Sequence, residues 1–410
     1  QQGFVLVADP TIAEVIIINT CGFLQDAVGE SYQEIQNAIA QKEDGCCRAV
    51  IVTGCAAVRY RDEILAVDGV DAVMGVSEYA TLISVVQNVL GVTSVVQPLT
   101  TDLELLRIPS TPKYYAYLRI AEGCDKNCTY CTIPAIRGSY ASRTMPSLLE
   151  EAERLAGLGV KELILVAQDT TLYGTDIYEG QKLHALLDKL SKIEGIRWLR
   201  LLYCYPEHIY DELLEEMAQN PKILPYIDLP IQHCSDKILK LMGRRSTEAS
   251  LRKTIAHIRQ TVPNVVLRTT LITGFPGETK SDFQTLCKFI EDMKFDWLGV
   301  FPYSREEGTP ADGLPDHLEE KTKLARYDRL MKIQQGITAN NLAERDGRAY
   351  EVVVEGVEEN GIYLGRSYAE APDIDGTVFI SSDQELEIGE FVQIQIVETW
   401  QYEVMGEVVN

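Results

Sequence analysis

A strand-then-helix alternation that repeats six times is the feature that most limits how this chain can fold. Between residues 112 and 335, apolar runs of strand length are separated by helical stretches. Strands joined by helices pair in parallel, so six such units predict a partial barrel related to the eight-unit β/α barrel. A capping-box pair, Ser147 and Glu150, is expected to begin the helix at 147–158. The predicted strands are 115–120, 161–167, 197–203, 226–231, 265–273 and 297–303.

Two regions with different patterns of apolar and polar residues flank this barrel. Residues 1–105 predict a small open α/β domain whose first strand is incomplete, and the polar stretch 98–113 predicts a linker. Residues 341–410 predict a five-stranded antiparallel β-barrel of OB-like size. The N-terminal strands are expected at 4–7, 14–19, 48–53 and 70–76, with helices at 27–40 and 79–89. The C-terminal strands are expected at 350–357, 361–367, 376–381, 391–397 and 402–408.

Length and composition exclude several classes of protein. The 410 residues suffice for two or three domains with their own cores, and 46% hydrophobic with 24% charged residues is typical of a folded protein. No apolar run approaches the ~20 residues of a membrane span, and we expect no secretory leader, because no basic stretch followed by an apolar run opens the sequence given. Ten cysteines are too sparse for a disulfide scaffold, so we expect a cytoplasmic protein with no membrane partner.

The net charge of −23 limits the partners of this chain. From 341 to 410 there are three arginines, no lysine and sixteen acidic residues, a net charge of −13. Such a surface repels a phosphate backbone and attracts a basic protein. The alternative is that this acidity only aids solubility.

Three cysteines stand within eight residues just after the first predicted barrel strand: Cys124, Cys128 and Cys131. Parallel barrels collect reacting groups at that end of their strands. A zinc site would need a fourth ligand, and none of the five histidines lies in this loop. Three thiolates suit a four-iron cluster whose fourth iron stays open to a substrate. A structural zinc loop completed from elsewhere is the alternative.

This Cys-x3-Cys-x2-Cys spacing, with Tyr130 before the last cysteine, resembles the radical S-adenosylmethionine signature. Further motifs and the order of three domains, ending in a TRAM-like module, resemble the methylthiotransferases of that superfamily. These motifs are Cys131-Thr132-Ile133-Pro134, Arg137-Gly138, Ser142-Arg143 and Gly274-Phe275-Pro276-Gly277-Glu278-Thr279.

The resemblance implies a reductase-fed reaction, with an electron donor of flavodoxin-like type. Cys124, Cys128 and Cys131 would hold a four-iron cluster whose open iron chelates S-adenosylmethionine, with Tyr130 beside the cofactor. An electron then yields a 5′-deoxyadenosyl radical that removes hydrogen from an unactivated carbon, to which a methylthio group is added. A second four-iron cluster in the N-terminal domain is implicated in handling the sulfur.

Polar residues also follow three later barrel strands. Gln168 and Asp169 follow the second strand, and Gly274 and Glu278 follow the fifth; we expect these four to contact the cofactor. After the fourth strand come two residues expected to contact the substrate, Gln232 and His233. Each could instead be an ordinary loop residue, and His233 alone is more often a hydrogen-bonded core histidine.

Two cysteines of the N-terminal domain match ligands of the second cluster. Cys21 and Cys55 each follow a predicted strand, where open α/β sheets bind ligands. The third family ligand belongs to a Gly-Cys motif upstream of the first residue given, so we expect an incomplete second site. Substitution by Cys46 or Cys47 is not expected, since these precede a strand. Ordinary buried roles are expected for Cys204, Cys234 and Cys287.

Two branches of the family differ in substrate. One modifies an adenosine base of transfer RNA, and the other adds the group to the β-carbon of an aspartate in small-subunit ribosomal protein twelve. The stretches 168–170 (Gln-Asp-Thr) and 228–233 (Asp-Leu-Pro-Ile-Gln-His) resemble the protein branch, and the acidic C-terminal module agrees with it. Transfer RNA, and a non-catalytic zinc-binding scaffold, are the alternatives.

Overall fold

The computed structural model describes residues 4–92, 109–358 and 361–409. The chain divides into two compact units. The first combines the described N-terminal residues with Glu122–Tyr140 and Ser304–Gly313. The second contains the described remainder of the chain. The sequence-predicted domain boundaries 1–105, 112–335 and 341–410 remain predictions.

A three-stranded parallel sheet forms the core of the first unit, in the order β1-β2-β3. Every residue of the central strand is buried, and alternate side chains enter opposite cores because strand residues alternate between faces. Val50 and Val52 pack with Ile35, while Ile51 packs with Val86. The strands are β1 (Val15–Thr20), β2 (Ala49–Gly54) and β3 (Ala72–Met74). The helices are α1 (Gln25–Asp44), α2 (Cys55–Arg59), α3 (Arg61–Leu65), α4 (Leu82–Leu90) and α5 (Ile133–Arg137).

Six parallel strands form the sheet of the second unit, in the order β11-β10-β9-β8-β7-β4. All six carboxyl ends therefore meet at one edge of the sheet. These strands are β4 (Tyr115–Arg119), β7 (Glu162–Val166), β8 (Trp198–Leu201), β9 (Ile223–Asp228), β10 (Val266–Thr273) and β11 (Trp297–Pro302). Two short strands, β5 (Ala121–Glu122) and β6 (Ala141–Ser142), lie between β4 and β7 in the chain. The helices are α6 (Met145–Gly157), α7 (Leu183–Ser191), α8 (Asp211–Gln219), α9 (Asp236–Leu241), α10 (Glu248–Thr261), α11 (Lys280–Met293) and α12 (Glu320–Ala343).

The C-terminal module is a closed five-stranded barrel in the order β12-β13-β14-β16-β15. Its strands are β12 (Ala349–Val357), β13 (Ile362–Ser367), β14 (Val378–Ser381), β15 (Phe391–Thr399) and β16 (Val404–Val408). Four neighbouring pairs are antiparallel, as predicted, but β14 and β16 pair in parallel. An odd number of strands cannot alternate direction around a closed ring, so one parallel pair is unavoidable.

Within the second unit this module shares its core with the amino-terminal ends of the barrel strands. Trp198 and Trp297 of the barrel belong to the same buried cluster as Val352 of the module. A buried ion network crosses the same junction. Glu162, 1% exposed, accepts from Arg200 at 2.7 Å and from Arg366 of the module. Module and barrel are therefore joined by both apolar packing and paired charge.

Three local predictions turn out differently or lie outside the described residues. The apolar run 4–7 is exposed and forms no strand, because no described strand pairs with it. Helix α6 begins after Thr144, so the predicted Ser147 capping box is wrong. Capping boxes occur instead at Thr247 and Thr279. Residues 98–108, most of the linker predicted at 98–113, lie outside the described residues.

Within residues 4–92, 109–358 and 361–409, every helix lacks the length or the apolar character that a membrane span demands.

Candidate functional site

Two predicted ligands lie side by side at the carboxyl edge of the first unit's sheet. Strand β1 ends at Thr20 and β2 at Gly54, and these residues are register partners. Cys21 and Cys55 directly follow them, as the sequence predicted, which places both thiols where parallel sheets bind ligands. Cys55 is 3% exposed and begins helix α2, whereas Cys21 is exposed.

Two glycines allow these cysteine loops to approach each other closely. Gly54 has φ +97°, and a Cβ there would meet Asn19 Oδ1 at 2.6 Å as well as the backbone of Thr20. A Cβ on Gly22 would lie 2.7 Å from the carbonyl carbon of Cys55. Backbone contact at this edge therefore requires glycine at both positions.

The other cysteines lie as predicted. Cys46 and Cys47 precede β2 and lie at the end of that strand opposite to Cys55. In the second unit the remaining thiols are buried, and no ligand role is indicated for them: Cys204, Cys234 and Cys287.

The three-cysteine loop is held in the first unit by backbone contacts. Gly123 has φ +80°, and a side chain there would collide with the backbone of Gly138 and Ser139. The Cys124 N–H donates to the Gly138 carbonyl at 3.0 Å, and the Cys131 N–H donates to the Cys128 carbonyl at 3.1 Å. The loop thus begins and ends against fixed backbone, which limits the positions of its thiols.

The thiols of this loop are shielded from solvent. Cys124 and Cys128 are 9% and 8% exposed, and Tyr130 is half-buried. Burial raises the pKa of the Cys131 thiol to about 11, with smaller contributions from Cys128 and Cys124. In the part of the chain that the structure describes, no three metal-binding side chains converge on one point. A four-iron cluster takes one thiolate per iron, so the donor set fits such a cluster better than a single zinc ion.

Direct contacts link the two cysteine loops within the first unit. The Nη2 of Arg137, on α5, donates to the Sγ of Cys55 at 3.2 Å, while its Nη1 donates to Glu122 at 3.0 Å. Arg137 is the last helical residue after the three-cysteine loop, so one side chain connects both predicted cluster sites. The sequence analysis quoted Arg137 only as part of a motif, since nothing in the sequence indicates that it contacts Cys55.

The segment Ser304–Gly313 gives these loops a second connection. Arg59 of α2 donates to the Gly22 carbonyl at 2.9 Å and pairs with Glu306 at 3.1 Å, and Glu306 is 3% exposed. Further along, the Ala311 N–H donates to the Thr129 carbonyl at 2.8 Å. One short segment therefore contacts the Cys21–Gly22 loop through Arg59 and the three-cysteine loop directly.

In the second unit, the carboxylate of Asp169, which follows β7, contacts other residues of the same chain. It is fully buried, and its Oδ1 accepts from the Thr171 N–H at 3.0 Å. Its Oδ2 lies 2.8 Å from Nδ1 of His208. The carboxylate therefore orders the loop after β7, which also carries Gln168.

Glu278 orders the loop after β10 in a similar way. Its Oε2 accepts from the Gly274 and Phe275 N–H groups at 2.6 and 3.2 Å, and its Oε1 accepts from Arg326 at 2.5 Å. Burial raises the pKa of this carboxyl. Gly274, with φ +72°, leaves space that the Lys323 side chain occupies.

Gln232 and His233 follow β9. His233 is fully buried, and its Nδ1 accepts from the Cys234 and Ser235 N–H groups at 2.9 Å each. Burial lowers its pKa to about 3, so the ring is neutral and its Nε2 carries the proton. Gln232 has φ +68°, a left-handed conformation that non-glycine residues rarely adopt.

Tyr203, which the sequence analysis did not single out, has the same unusual backbone, with φ +58°. The Asp228 carboxylate accepts from its N–H at 3.0 Å, and its carbonyl accepts from the Thr170 N–H at 3.1 Å. Its ring is 49% exposed at the carboxyl edge of the sheet. Strained backbone held by buried partners is typical of functional sites, although no sequence signal marks it here.

Comparisons with known families divide the chain in the predicted order. Residues 1–75 match uncharacterized protein family UPF0004, 118–290 match the radical SAM superfamily, and 347–409 match the TRAM domain.

Solved structures share the fold at low sequence identity. The radical S-adenosylmethionine methyltransferase TsrM from Kitasatospora setae, with cobalamin and a [4Fe-4S] cluster bound, is 15% identical with a TM-score of 0.56. That match covers 73% of this chain and 64% of TsrM, a little under two thirds of its length. The cobalamin-dependent enzyme OxsB gives a TM-score of 0.51 at 11% identity, over 79% of this chain and 48% of OxsB.

Curated relatives match over the whole chain. Three of them, named ribosomal protein uS12 methylthiotransferase RimO, come from Acetivibrio thermocellus, Clostridioides difficile and Lachnoclostridium phytofermentans. They are 48%, 44% and 46% identical over 99 to 100% of this chain and 93 to 94% of their own lengths. With the radical SAM and TRAM matches in the predicted order, the chain belongs to the RimO family of ribosomal protein uS12 methylthiotransferases.

Proposed function

We propose that this protein is a radical S-adenosylmethionine enzyme that adds a methylthio group to the β-carbon of an aspartate in ribosomal protein uS12. The observation that carries the proposal is the placement of two cysteine loops in one compact unit, joined by the Arg137–Cys55 contact. Two loops of thiols in contact suit a reaction that needs both a radical and a sulfur source.

Each loop has its own proposed role. Cys124, Cys128 and Cys131 would hold a [4Fe-4S] cluster, and Tyr130 would lie beside the cofactor. When bound, that cluster would pass on the donor's electron that splits S-adenosylmethionine into methionine and a 5′-deoxyadenosyl radical able to remove hydrogen from carbon. Cys21 and Cys55 would be ligands of the second [4Fe-4S] cluster, at an edge where glycines allow the two cysteine loops to approach each other.

At the barrel edge, the chain's own residues build the cofactor pocket. Glu278 and Asp169 hold two loops in shape through Arg326 and His208. The cofactor is then contacted by groups that these loops present, with Gln168 and Gly274 as candidates. Exposed Tyr203 and the backbone of Gln232 are placed to contact the substrate, while His233 is a structural residue whose ring stays neutral.

The negative charge of the C-terminal module supports a basic protein substrate, although part of that charge is already paired with arginines. Four module carboxylates pair with arginines: Glu351 with Arg197, Glu355 with Arg366, Glu370 with Arg345 and Asp375 with Arg268. An exposed acidic segment remains, formed by Asp383, Glu385, Glu387 and Glu390. This acidic segment would repel the phosphates of transfer RNA and attract a ribosomal protein. We further propose that the enzyme is cytoplasmic and takes electrons from a flavodoxin-like donor.

A paired-substrate assay tests the proposal. The full-length protein, reconstituted anaerobically with iron and sulfide, is given S-adenosylmethionine, a reductant and either uS12 or transfer RNA. We expect a methylthio mass increase on uS12 only, located on one aspartate by fragmentation. The same increase on transfer RNA alone would refute the protein substrate.

Matched variants separate the enzyme from a zinc-binding scaffold. Cys128→Ala should abolish cleavage of S-adenosylmethionine, whereas Cys287→Ala, which removes a buried thiol of α11, should leave it unchanged. If the wild-type protein binds zinc stoichiometrically and develops no iron–sulfur absorbance, the enzymatic function is refuted.

A further inference from the structure

Arg137 occupies an unusual position between the two cysteine loops. Its side chain is 25% exposed, and its Nη1 is paired with Glu122. Its Nη2 donates to the Sγ of Cys55, a neutral group in the free thiol. An arginine stays charged under all physiological conditions, so a positive charge lies directly against this sulfur.

One donor of Arg137 remains unused. Its Nε is buried and has no hydrogen-bond partner among the residues that the structure describes. In a planar guanidinium, the Nε–H and one Nη2–H project in parallel from the same edge, the edge used to bind carboxylates in pairs. The unused Nε–H thus lies on an edge of the guanidinium that also carries Nη2, the nitrogen in contact with Cys55. A buried donor without an acceptor is costly, which indicates that an acceptor beside Cys55 completes the site.

The chemistry of that acceptor follows from its neighbours. The carboxylate in contact with Arg137, Glu122, is already engaged through Nη1, and the adjacent ligand group is sulfur. The sulfides of an iron–sulfur cluster accept N–H hydrogen bonds, and such bonds help to set the cluster's reduction potential. A cationic donor stabilises the reduced, more negative cluster over the oxidised one.

We propose that Arg137 is a positioning residue of the second cluster, donating through Nη2 to the Cys55 sulfur and through Nε to a cluster sulfide. It makes the second cluster easier to reduce than it would be without the arginine. This inference rests on the proposed function, because it requires the cluster at Cys21 and Cys55. The expected effect is selective, because this contact does not change the reduction potential of the cluster held by the three-cysteine loop.

The test measures reduction potentials of each cluster alone. A full-length protein with Cys124, Cys128 and Cys131 all replaced by alanine keeps only the second cluster. One with Cys21→Ala and Cys55→Ala keeps only the first. Potentiometric titration monitored by electron paramagnetic resonance then compares Arg137 with Arg137→Gln in both backgrounds. Arg305→Gln is the matched control, since Arg305 lies in the same unit, is 61% exposed and pairs with Asp312.

In the background with the second cluster, we expect Arg137→Gln to lower the midpoint potential. At the wild-type midpoint the ratio of reduced to oxidised cluster should fall about tenfold, as for the loss of a charged hydrogen bond. Arg137→Lys keeps the charge without the paired donors and should give a smaller fall. The first cluster and the Arg305→Gln control should be unchanged.

Other outcomes overturn the inference separately from the proposed function. An unchanged potential in both Arg137→Gln and Arg137→Lys, or equal shifts of the two clusters, refutes the role of Arg137 alone. A triple-alanine protein that binds no iron refutes the second cluster itself. If Arg137→Gln loses its cooperative thermal transition, the midpoint potential of Arg137→Lys is used instead. A fall in that potential supports the role of Arg137, and an unchanged potential refutes it.

Discussion

At the carboxyl ends of their strands, the two units use polar side chains in different ways. In the second unit, both carboxylate oxygens of Asp169 and of Glu278 are paired with donors of other residues in the same chain. In the first unit, Cys21 is exposed, and the Nε of Arg137 has no hydrogen-bond partner within residues 4–92, 109–358 and 361–409. A polar residue near a strand end is therefore a stronger ligand candidate when it keeps a donor or acceptor unused. Fixed carboxylates shape the barrel loops, whereas we propose that Cys21 and Cys55, beside Arg137, bind a cofactor.

The largest expected effect concerns stability. Arg366 is 2% exposed and pairs with Glu162 and Glu355 across the junction of barrel and module. Arg366→Ala leaves Glu355 without its arginine and buried Glu162 with Arg200 alone, so it should lower the free energy of unfolding by about 3–5 kcal/mol. Cys21→Ala, at an exposed thiol kept for a ligand, should change it by no more than about 0.5 kcal/mol.

Denaturant unfolding of the metal-free protein, followed by circular dichroism, measures both changes. Arg197→Ala is the control for the loss of an arginine, because Arg197 is 50% exposed and its pair with Glu351 should contribute only about 0–1 kcal/mol. Equal losses from Arg366→Ala and Cys21→Ala would contradict the distinction between the two units.

The next effect is a pH dependence that arises at Asp375. Burial raises the pKa of this carboxyl to about 6 from its ordinary 3.8, although Tyr226 donates to it at 2.6 Å. The folded protein then binds a proton more tightly than the unfolded chain, so this group's contribution to stability falls as the pH rises from about 4 to 6. The fall should be on the order of 2–3 kcal/mol.

Asp375→Asn removes that titration while keeping an oxygen that can accept from Tyr226. Unfolding free energies of both proteins at pH 4, 5, 6 and 7 give the difference. It should favour the wild type progressively less as the pH rises over this range. A constant difference would show that Asp375 keeps its ordinary pKa.

How much of this arrangement the sequence could predict depends on how far apart the interacting residues lie. Cys21 and Cys55 follow strands directly, so the rule for parallel sheets predicted their placement. The partners of Glu278 and Asp169, Arg326 and His208, lie 48 and 39 residues further along. No local pattern shows that these carboxylates are already paired.

The same limit applies to the bridge between the cysteine loops. Arg137 and Cys55 are separated by 82 residues, and the contact depends on how two distant loops pack. The strained backbone of Tyr203 is held by a hydrogen bond that its N–H donates to Asp228 and one that its carbonyl accepts from Thr170, and only the folded sheet brings these residues together. Motifs predicted which residues matter, whereas the structure separates the residues that hold loops from those left for ligands.

A moderate effect is expected at the loop after β10. Glu278→Gln removes the negative charge beside Arg326, which should destabilise this loop locally by about 1–3 kcal/mol. Amide hydrogen exchange of residues 274–278 measures the local opening. Glu320→Gln is the control, since Glu320 is 64% exposed and pairs with Lys323 on the same helix. Unchanged exchange in Glu278→Gln would mean that its amide contacts with Gly274 and Phe275 suffice.

The smallest effect is expected on the surface of the second unit, at the exposed acidic segment. Asp383→Lys and Glu385→Lys reverse two charges of the exposed acidic segment, and each should weaken uS12 binding about two- to five-fold at low salt. The change should appear mainly in the association rate and shrink as salt screens the attraction. Glu34→Lys, on the exposed face of α1, changes net charge equally and should have less effect if the segment itself meets the substrate. Equal losses from all three variants would mean that net charge alone steers the basic partner, and that the acidic segment makes no local contact with it.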